Sequence, residues 1–302
     1  MSDGAKGVGA IFLACTIWGF ATIYYKALSN VPPLEVLAHR TLWTLLFFGA
    51  LLAVQGRLSA APALIAGPLK VRVIGAAAIV SVNWGLFIWA IQSGHAVQAS
   101  LGYYILPLVS VLMGVVLLGE RLSRLQGAAV GLAALAVAVL TVGQGVPPVI
   151  ALALALSFAP YLVIKKKLVA PAVVSVTAEV MVLAPFAVAW LVWQAGGVAA
   201  HDLHTMLMLP LSGLITGGPL ILFSWGAQRV RLSTLGIAGY LNPTLQMYSA
   251  VMIFGEPFTR WHAAAFGLIW AGLALYSAES WRQDRAARSL ASSADTSATV
   301  MK

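Results

Sequence analysis

Apolar residues run along this chain in ten long blocks set apart by short polar breaks. The blocks lie near 8–28, 34–54, 71–92, 96–118, 124–143, 147–164, 173–194, 205–226, 232–254 and 261–279. Each approaches the roughly 20 residues that a helix needs to cross the hydrocarbon of a bilayer. The sixth is the shortest and is interrupted by Pro160. The breaks leave no room for a separate soluble domain, so the pattern predicts an all-α integral membrane protein with ten transmembrane helices. The first block is of span length and only Lys6 stands before it, which does not read as a cleaved signal peptide. From about Gln283 onward Ala, Ser, Arg and Asp follow without apolar periodicity. Residues 281–302 are therefore expected to form a disordered cytoplasmic tail.

The second half of the pattern restates the first. Gly102–Gln126 reads GYYILPLVSVLMGVVLLGERLSRLQ, and Ala238–His262 reads AGYLNPTLQMYSAVMIFGEPFTRWH. A shift of 136 places Pro107 on Pro243, Gly119-Glu120 on Gly255-Glu256, Arg124 on Arg260, Trp89 on Trp225 and Gln92 on Gln228. Toward the ends the register drifts to 139, where Lys26 falls on Lys165 and Arg40 on Glu179. Five spans per copy is an odd number, so the second copy must start on the opposite side of the membrane. Two inverted-topology repeats are expected, 7–143 with spans one to five and 147–280 with spans six to ten. Many secondary transporters are built this way.

Composition and charge strengthen the membrane reading. Apolar residues make up 61% of the chain and charged residues 9%, against about a quarter charged in soluble proteins. A net charge of +9 would suggest nucleic acid in a soluble chain, but its distribution points elsewhere. With a cytoplasmic N-terminus and ten spans, 15 of the 18 Lys and Arg residues fall on the cytoplasmic side. Lys26 and Arg260 lie toward the outside and Arg40 within a span. That bias is the positive-inside rule. Both termini are expected in the cytoplasm, with membrane lipid as the surroundings and no nucleic-acid partner. The Gly119-Glu120-Arg121 loop then falls inside and Gly255-Glu256-Pro257 outside. Cys15, the only cysteine, allows no internal disulfide and suits packing better than a thiolate metal site. No metal and no cofactor are expected. Small residues at Gly127–Gly131 and Gly267–Gly272 mark spans five and ten as closely packed and structural.

The candidate chemistry lies inside the spans. A proline within a helix cannot donate to the carbonyl four residues back and clashes with it. Pro107 and Pro243 therefore free the carbonyls of Tyr103 and Gly239 at matching places. Freed backbone at membrane depth is tolerated against protein or a wet cavity, so the pair marks either a central site or a packed kink. Tyr103, Tyr104, Tyr240, Asn242 and Gln246 cluster nearby and favour one central cavity. In span two, His39 and Arg40 stand where an ionisable group is functional by default, with a structural pair or snorkelling as the alternative. Glu35, one turn earlier, is expected to be solvated. Glu179 in span seven is the complementary carboxylate. Depth argues against a direct bridge to Arg40, and the two are expected to approach one cavity from opposite sides; proton coupling through Glu179 is an open option. Asn83 and Trp84 in span three and Trp18 in span one are candidates for cavity lining or for packing.

In order along the chain, Trp18-Gly19 with Tyr24 and Lys26, Leu37-Ala38-His39-Arg40 with Trp43, Asn83-Trp84 with Phe87-Ile88-Trp89, and Ala99–Ile105 with Pro107 resemble the RarD group of EamA-type drug/metabolite transporters. The resemblance spans about residues 7–280. It implies ten transmembrane helices in two EamA-like repeats, a bacterial inner-membrane location and transport of small organic compounds. Two positions depart from the group's pattern: Leu106 stands where Asn usually precedes the span-four proline, and Thr22 where Pro is common in span one. A secondary transporter working by alternating access, in the export direction, is the leading expectation. An intramembrane enzyme would want an HExxH run or an activated nucleophile, and the chain has neither motif. A passive channel fits poorly with inverted repeats and the lack of charged rings.

Overall fold

The computed structural model describes residues 3–119, 122–194, 201–230 and 232–300, the side chains of 117–118, 232–233, 236–237, 280 and 283–300 excepted. Glu120, Arg121 and Arg231 lie outside the described residues. The elements are helices in succession: α1 (Asp3–Ala27), α2 (Pro33–Val54), α3 (Ala60–Ala66), α4 (Lys70–Gln92), α5 (Ala96–Leu118), α6 (Arg124–Gln144), α7 (Val149–Lys167), α8 (Ala172–Trp193), α9 (Leu203–Met208), α10 (Leu211–Ala227), α11 (Leu232–Gly239), α12 (Leu241–Tyr248) and α13 (Arg260–Val300). A π-helical turn, Ser249–Ile253, extends α12. Pro160 sits inside an unbroken α7.

Among the described residues nine helical stretches are long and apolar enough to cross a membrane: α1, α2, α4 to α8, α9 with α10, and Arg260–Glu279 of α13. Their outward faces carry Leu46, Val54, Phe186 and Trp193 in the open, the surface expected against lipid rather than water. Several polar hydroxyls inside them bond back to their own helix, as Thr41 does to the Leu37 carbonyl at 2.9 Å and Thr177 to Val173 at 2.7 Å. Such self-satisfaction is what a solvent without hydrogen-bonding groups demands.

The ninth apolar block, expected as one span, is instead α11, α12 and the π turn, with the break at Tyr240. Gly239, a weak helix former, stands four residues before Pro243, which has no N–H to give it. Two short helices, α3 and α9, were not visible as blocks of their own. The backbone of α13 stays helical through the segment beyond Gln283; Ala and Arg favour helix even without an apolar face.

Packing partners come in matched sets. α1 lies against α10 and α12, while α7 lies against α4 and α5; α2 meets α10 as α8 meets α4; α2 pairs with α8, α5 with α12, and α6 with α13. Close crossings need glycine. A Cβ on Gly226 of α10 would stand 2.6 Å from the Gly7 carbonyl of α1. The Gly-Glu pairs owe their glycines to backbone geometry, since Gly119 and Gly255 have φ of 67° and 68°, a region that side chains disfavour.

Candidate functional site

Arg40 lies two turns into α2, about 10 Å along the helix at 1.5 Å per residue, and is 8% exposed. Its guanidinium stacks on Trp84 of α4, with Cζ 4.0 Å from the ring centroid, and Tyr25 of α1 stands at 5.8 Å. Phe87 is edge-on to both Tyr25 and Tyr103, at 5.9 and 5.6 Å between centroids, and Tyr103 is edge-on to Phe158 of α7 at 6.1 Å. Tyr103 and Tyr161 lie within electrostatic reach of the guanidinium. Among the described residues no carboxylate or carbonyl bonds Arg40, and its buried Nε has no acceptor. A desolvated cation–π contact is worth about 2 kcal/mol. Burial costs several kcal/mol per ion, so the Trp84 contact alone does not offset it.

Asn83 holds the frame of this aromatic chamber. Its Nδ2 donates to the Leu154 carbonyl at 3.0 Å and to Ser157 Oγ at 2.9 Å, and its Oδ1 accepts from the Tyr103 hydroxyl at 3.3 Å. With both ends of the amide committed, Asn83 positions Tyr103 and ties α4 to α7.

Glu179 of α8 is fully buried and accepts from Lys165 Nζ at 2.6 Å and from the Tyr161 hydroxyl at 3.1 Å. Lys165 also donates to Ser175 Oγ. Arg40 and Glu179 make no direct bridge, in keeping with their depths. Tyr161 stands between them in the chain of rings, since Phe158 packs on it at 5.2 Å.

The expected quartet of Tyr103, Tyr104, Tyr240 and Asn242 divides in two. Consecutive residues on a helix point about 100° apart, and Tyr104 turns away from Tyr103. Tyr104 stacks on Tyr240 at 6.5 Å, meets Phe266 of α13 at 5.2 Å, and shares a 2.6 Å hydrogen bond with Thr244. Pro243 is buried and its carbonyl accepts from Ser100 Oγ at 2.8 Å, while Asn242 Oδ1 accepts from Gln246 Nε2 at 3.0 Å. Gln246 Oε1 is left without a partner. Pro107 sits inside a continuous α5. Trp18 of α1 packs on Phe223 of α10, centroids 5.7 Å apart.

His39 and Arg40 also part company. His39 is 4% exposed, its Nε2 has no partner, and its electrostatic neighbours are Glu35 and His201. Glu35 was expected in solvent. It is 5% exposed and bonded to His201 Nε2 at 2.6 Å, because His201, just before α9, reaches the start of α2. Two apolar cavities, about 400 and 190 Å³, run along the same end of α2 and share Leu34 and Trp190.

Sequence reasoning missed Tyr25, Phe158, Tyr161 and the partnership of Lys165. The usable signal was the single shift of 139 that relates both Lys26 to Lys165 and Arg40 to Glu179. It sets a cation beside a carboxylate in one half and two cations in the other. Glu256, noticed only as a repeat marker, accepts from the backbone amides of Ala96 and Val97 at 2.7 and 2.8 Å. An anion at a helix N-terminus is favoured by the unpaired amides there.

Comparison with known proteins bears on this geometry. Residues 5–142 match the EamA-like transporter family. Protein RarD of Streptomyces exfoliatus is 42% identical, over 92% of this chain and 90% of its own. An uncharacterized transporter of Vibrio cholerae is 38% identical over 95% and 96%, and Protein RarD of Escherichia coli 38% over 90% and 93%. A crystal structure of a protein with 20% identity superposes with a TM-score of 0.58 over 89% of this chain and 96% of that one, a likeness of fold.

Proposed function

The chain belongs to the RarD group of EamA-type transporters in the drug/metabolite transporter superfamily, and we propose that it works as a secondary carrier of small organic compounds by alternating access. On this reading it has ten spans in two inverted repeats, 7–143 and 147–280, with the α11–α12 segment as the ninth span. Both termini face the cytoplasm from a bacterial inner membrane, and net movement is outward. The observation that carries the reading is the matched packing. Exchanging α1 with α7, α2 with α8, α4 with α10, α5 with α12 and α6 with α13 turns each named contact into another named contact. A bundle whose two halves interlock in this way has two equivalent ways of tilting one half against the other, which is what alternating access requires. The Arg40 chamber lies where helices of both halves meet, and the Lys165–Glu179 pair beside it is the candidate for proton coupling.

Two measurements test the reading. Reporter fusions after Gln144 are expected to read periplasmic and those after Lys167 cytoplasmic; the reverse at either site removes the inverted repeats. In liposomes, flux of a bound compound is expected to saturate and to speed up when the same compound is present on the far side. Conductance independent of any substrate would make the protein a channel, and chemical conversion of the added compound would make it an enzyme.

A further inference from the structure

We propose that Arg40 is the counter-ion for the transported compound, and that this compound is an organic monocarboxylate with an apolar or aromatic body. The proposal rests on the carrier reading above and narrows its substrate class. Each buried carboxylate among the described residues is already engaged. Glu179 is held by Lys165 and Tyr161, Glu35 by His201, and Glu279 by Arg282; half-buried Glu256 caps α5. Among the described residues Arg40 alone is a nine-tenths-buried cation with no protein anion, its Nε without an acceptor.

The two halves explain where the anion went missing. At the matching register, Lys165 meets Glu179 in the second half, while Lys26 and Arg40 are both cations in the first. Lys26 turns aside to the Gln92 carbonyl at 3.4 Å. The ligand supplies the carboxylate that the first half lacks.

The chemistry of the chamber sets the rest. A guanidinium presents a planar fork that matches a carboxylate through two parallel hydrogen bonds. One free guanidinium neutralises one charge; a phosphate dianion would call for a second cation, and Lys165 is engaged by Glu179. The walls beside it, Trp84, Tyr25, Phe87 and Tyr103, offer ring faces and edges to an apolar body. An ammonium group on the ligand would find no free carboxylate there.

The test compares sets of compounds that share a body and differ in charge. Phenylacetate, indole-3-acetate and hexanoate are titrated against their amides, the corresponding amines and phenyl phosphate, using full-length protein in lipid nanodiscs and tryptophan fluorescence as the readout. At least one carboxylate is expected to bind 10-fold or more tightly than its amide and its amine. Arg40→Met should abolish that preference, and Arg40→Lys should weaken it about 10-fold while size-exclusion elution and thermal unfolding show a folded protein. If the amide, the amine or phenyl phosphate binds as tightly as the carboxylate, or if the preference survives in the folded Arg40→Lys and Arg40→Met variants, the assignment is overturned. Absence of binding by every carboxylate overturns it too. The carrier reading is judged separately in liposomes. Saturable flux of an amide or amine would keep the carrier and discard the carboxylate, whereas Arg40-dependent carboxylate binding without flux would keep the site and discard the carrier.

Discussion

α5 and the α11–α12 segment carry a proline at the same place in the two halves, yet only one of them breaks. α5 runs from Ala96 to Leu118 through Pro107, while its counterpart is interrupted at Tyr240 and turns π-helical at Ser249. The proline is common to both, so the difference lies in its neighbours. Four residues before the proline stand Tyr103 and Gly239, and immediately before it Leu106 and Asn242. Gly weakens a helix more than Tyr does, and Asn more than Leu. Each helix has a hydroxyl on one of its own carbonyls, Ser110 on Leu106 at 2.8 Å and Thr244 on Tyr240 at 2.6 Å, but the broken one also receives a bond from outside, Ser100 on the Pro243 carbonyl at 2.8 Å. A proline marks where a helix can open, and the residues around it decide whether it does.

The same contrast recurs in charge, where it gives the largest expected effect. Lys165 and Glu179 close an ion pair in the second half; Lys26 and Arg40 cannot. Glu179→Gln strands a lysine whose side chain is 21% exposed, and breaking such a buried pair should cost about 3 kcal/mol. Arg40→Met removes a charge that has no protein anion among the described residues, so stability should stay within about 1 kcal/mol of the parent or rise. Thermal unfolding of the detergent-purified variants distinguishes the two. Equal destabilisation would mean that Arg40 has a protein anion after all, and the asymmetry between the halves would disappear.

Healing the broken helix is expected to matter less. A Cβ on Gly239 would meet nothing within 4 Å, so Gly239→Ala has room and should stabilise by up to about 1 kcal/mol through helix propensity. Amide exchange around Tyr240 should slow, and so should flux if the break is where the α11–α12 segment moves. The mirror change, Leu106→Asn, should leave α5 unbroken while Tyr103 still fills the place of Gly239. A break appearing in α5 on that single substitution would show that the residue before the proline, and not the one four earlier, is decisive.

Periodicity and length made most of the bundle legible. The apolar blocks 34–54, 71–92 and 96–118 lie within a residue or two of α2, α4 and α5, because a span must be both apolar and about 20 residues long. The candidate site was legible residue by residue but not in its grouping. Arg40, Trp84 and Tyr103 gather in one chamber, whereas Tyr104 and Tyr240 form another around Thr244. Which side a residue faces is settled by helix rotation and by partners on distant segments, such as Leu154 and Ser157 for Asn83. The Glu35–His201 pair joins residues 166 positions apart, and no local pattern announces it. Conversely, the depth argument that kept Arg40 and Glu179 apart agrees with the structure, since rise per residue is a property of the helix alone.

The smallest expected effect belongs to the short helices that precede α4 and α10, one in each half. α9 is capped: Asp202 Oδ1 accepts from the Thr205 amide at 3.0 Å. Ser59, at the same position before α3, makes no side-chain cap. Hydrogen bonds from the Thr205 side chain and backbone amide hold the Asp202 carboxyl below the usual aspartate range. A lowered folded value means that the cap contributes above the ordinary carboxylate range and is lost as pH falls through the lowered one. At neutral pH, Asp202→Ala should therefore speed amide exchange at Thr205, Asp202→Asn should do so less because it keeps an acceptor, and Ser59→Ala should leave α3 unchanged. Acidifying the parent below the carboxylate range should reproduce the Asp202→Ala pattern in α9 and leave α3 as it was. An equal response in α3 would show that the two short helices are held by their packing on α8 and α10, with the cap adding nothing, and the contrast between the halves would then end at the membrane surface.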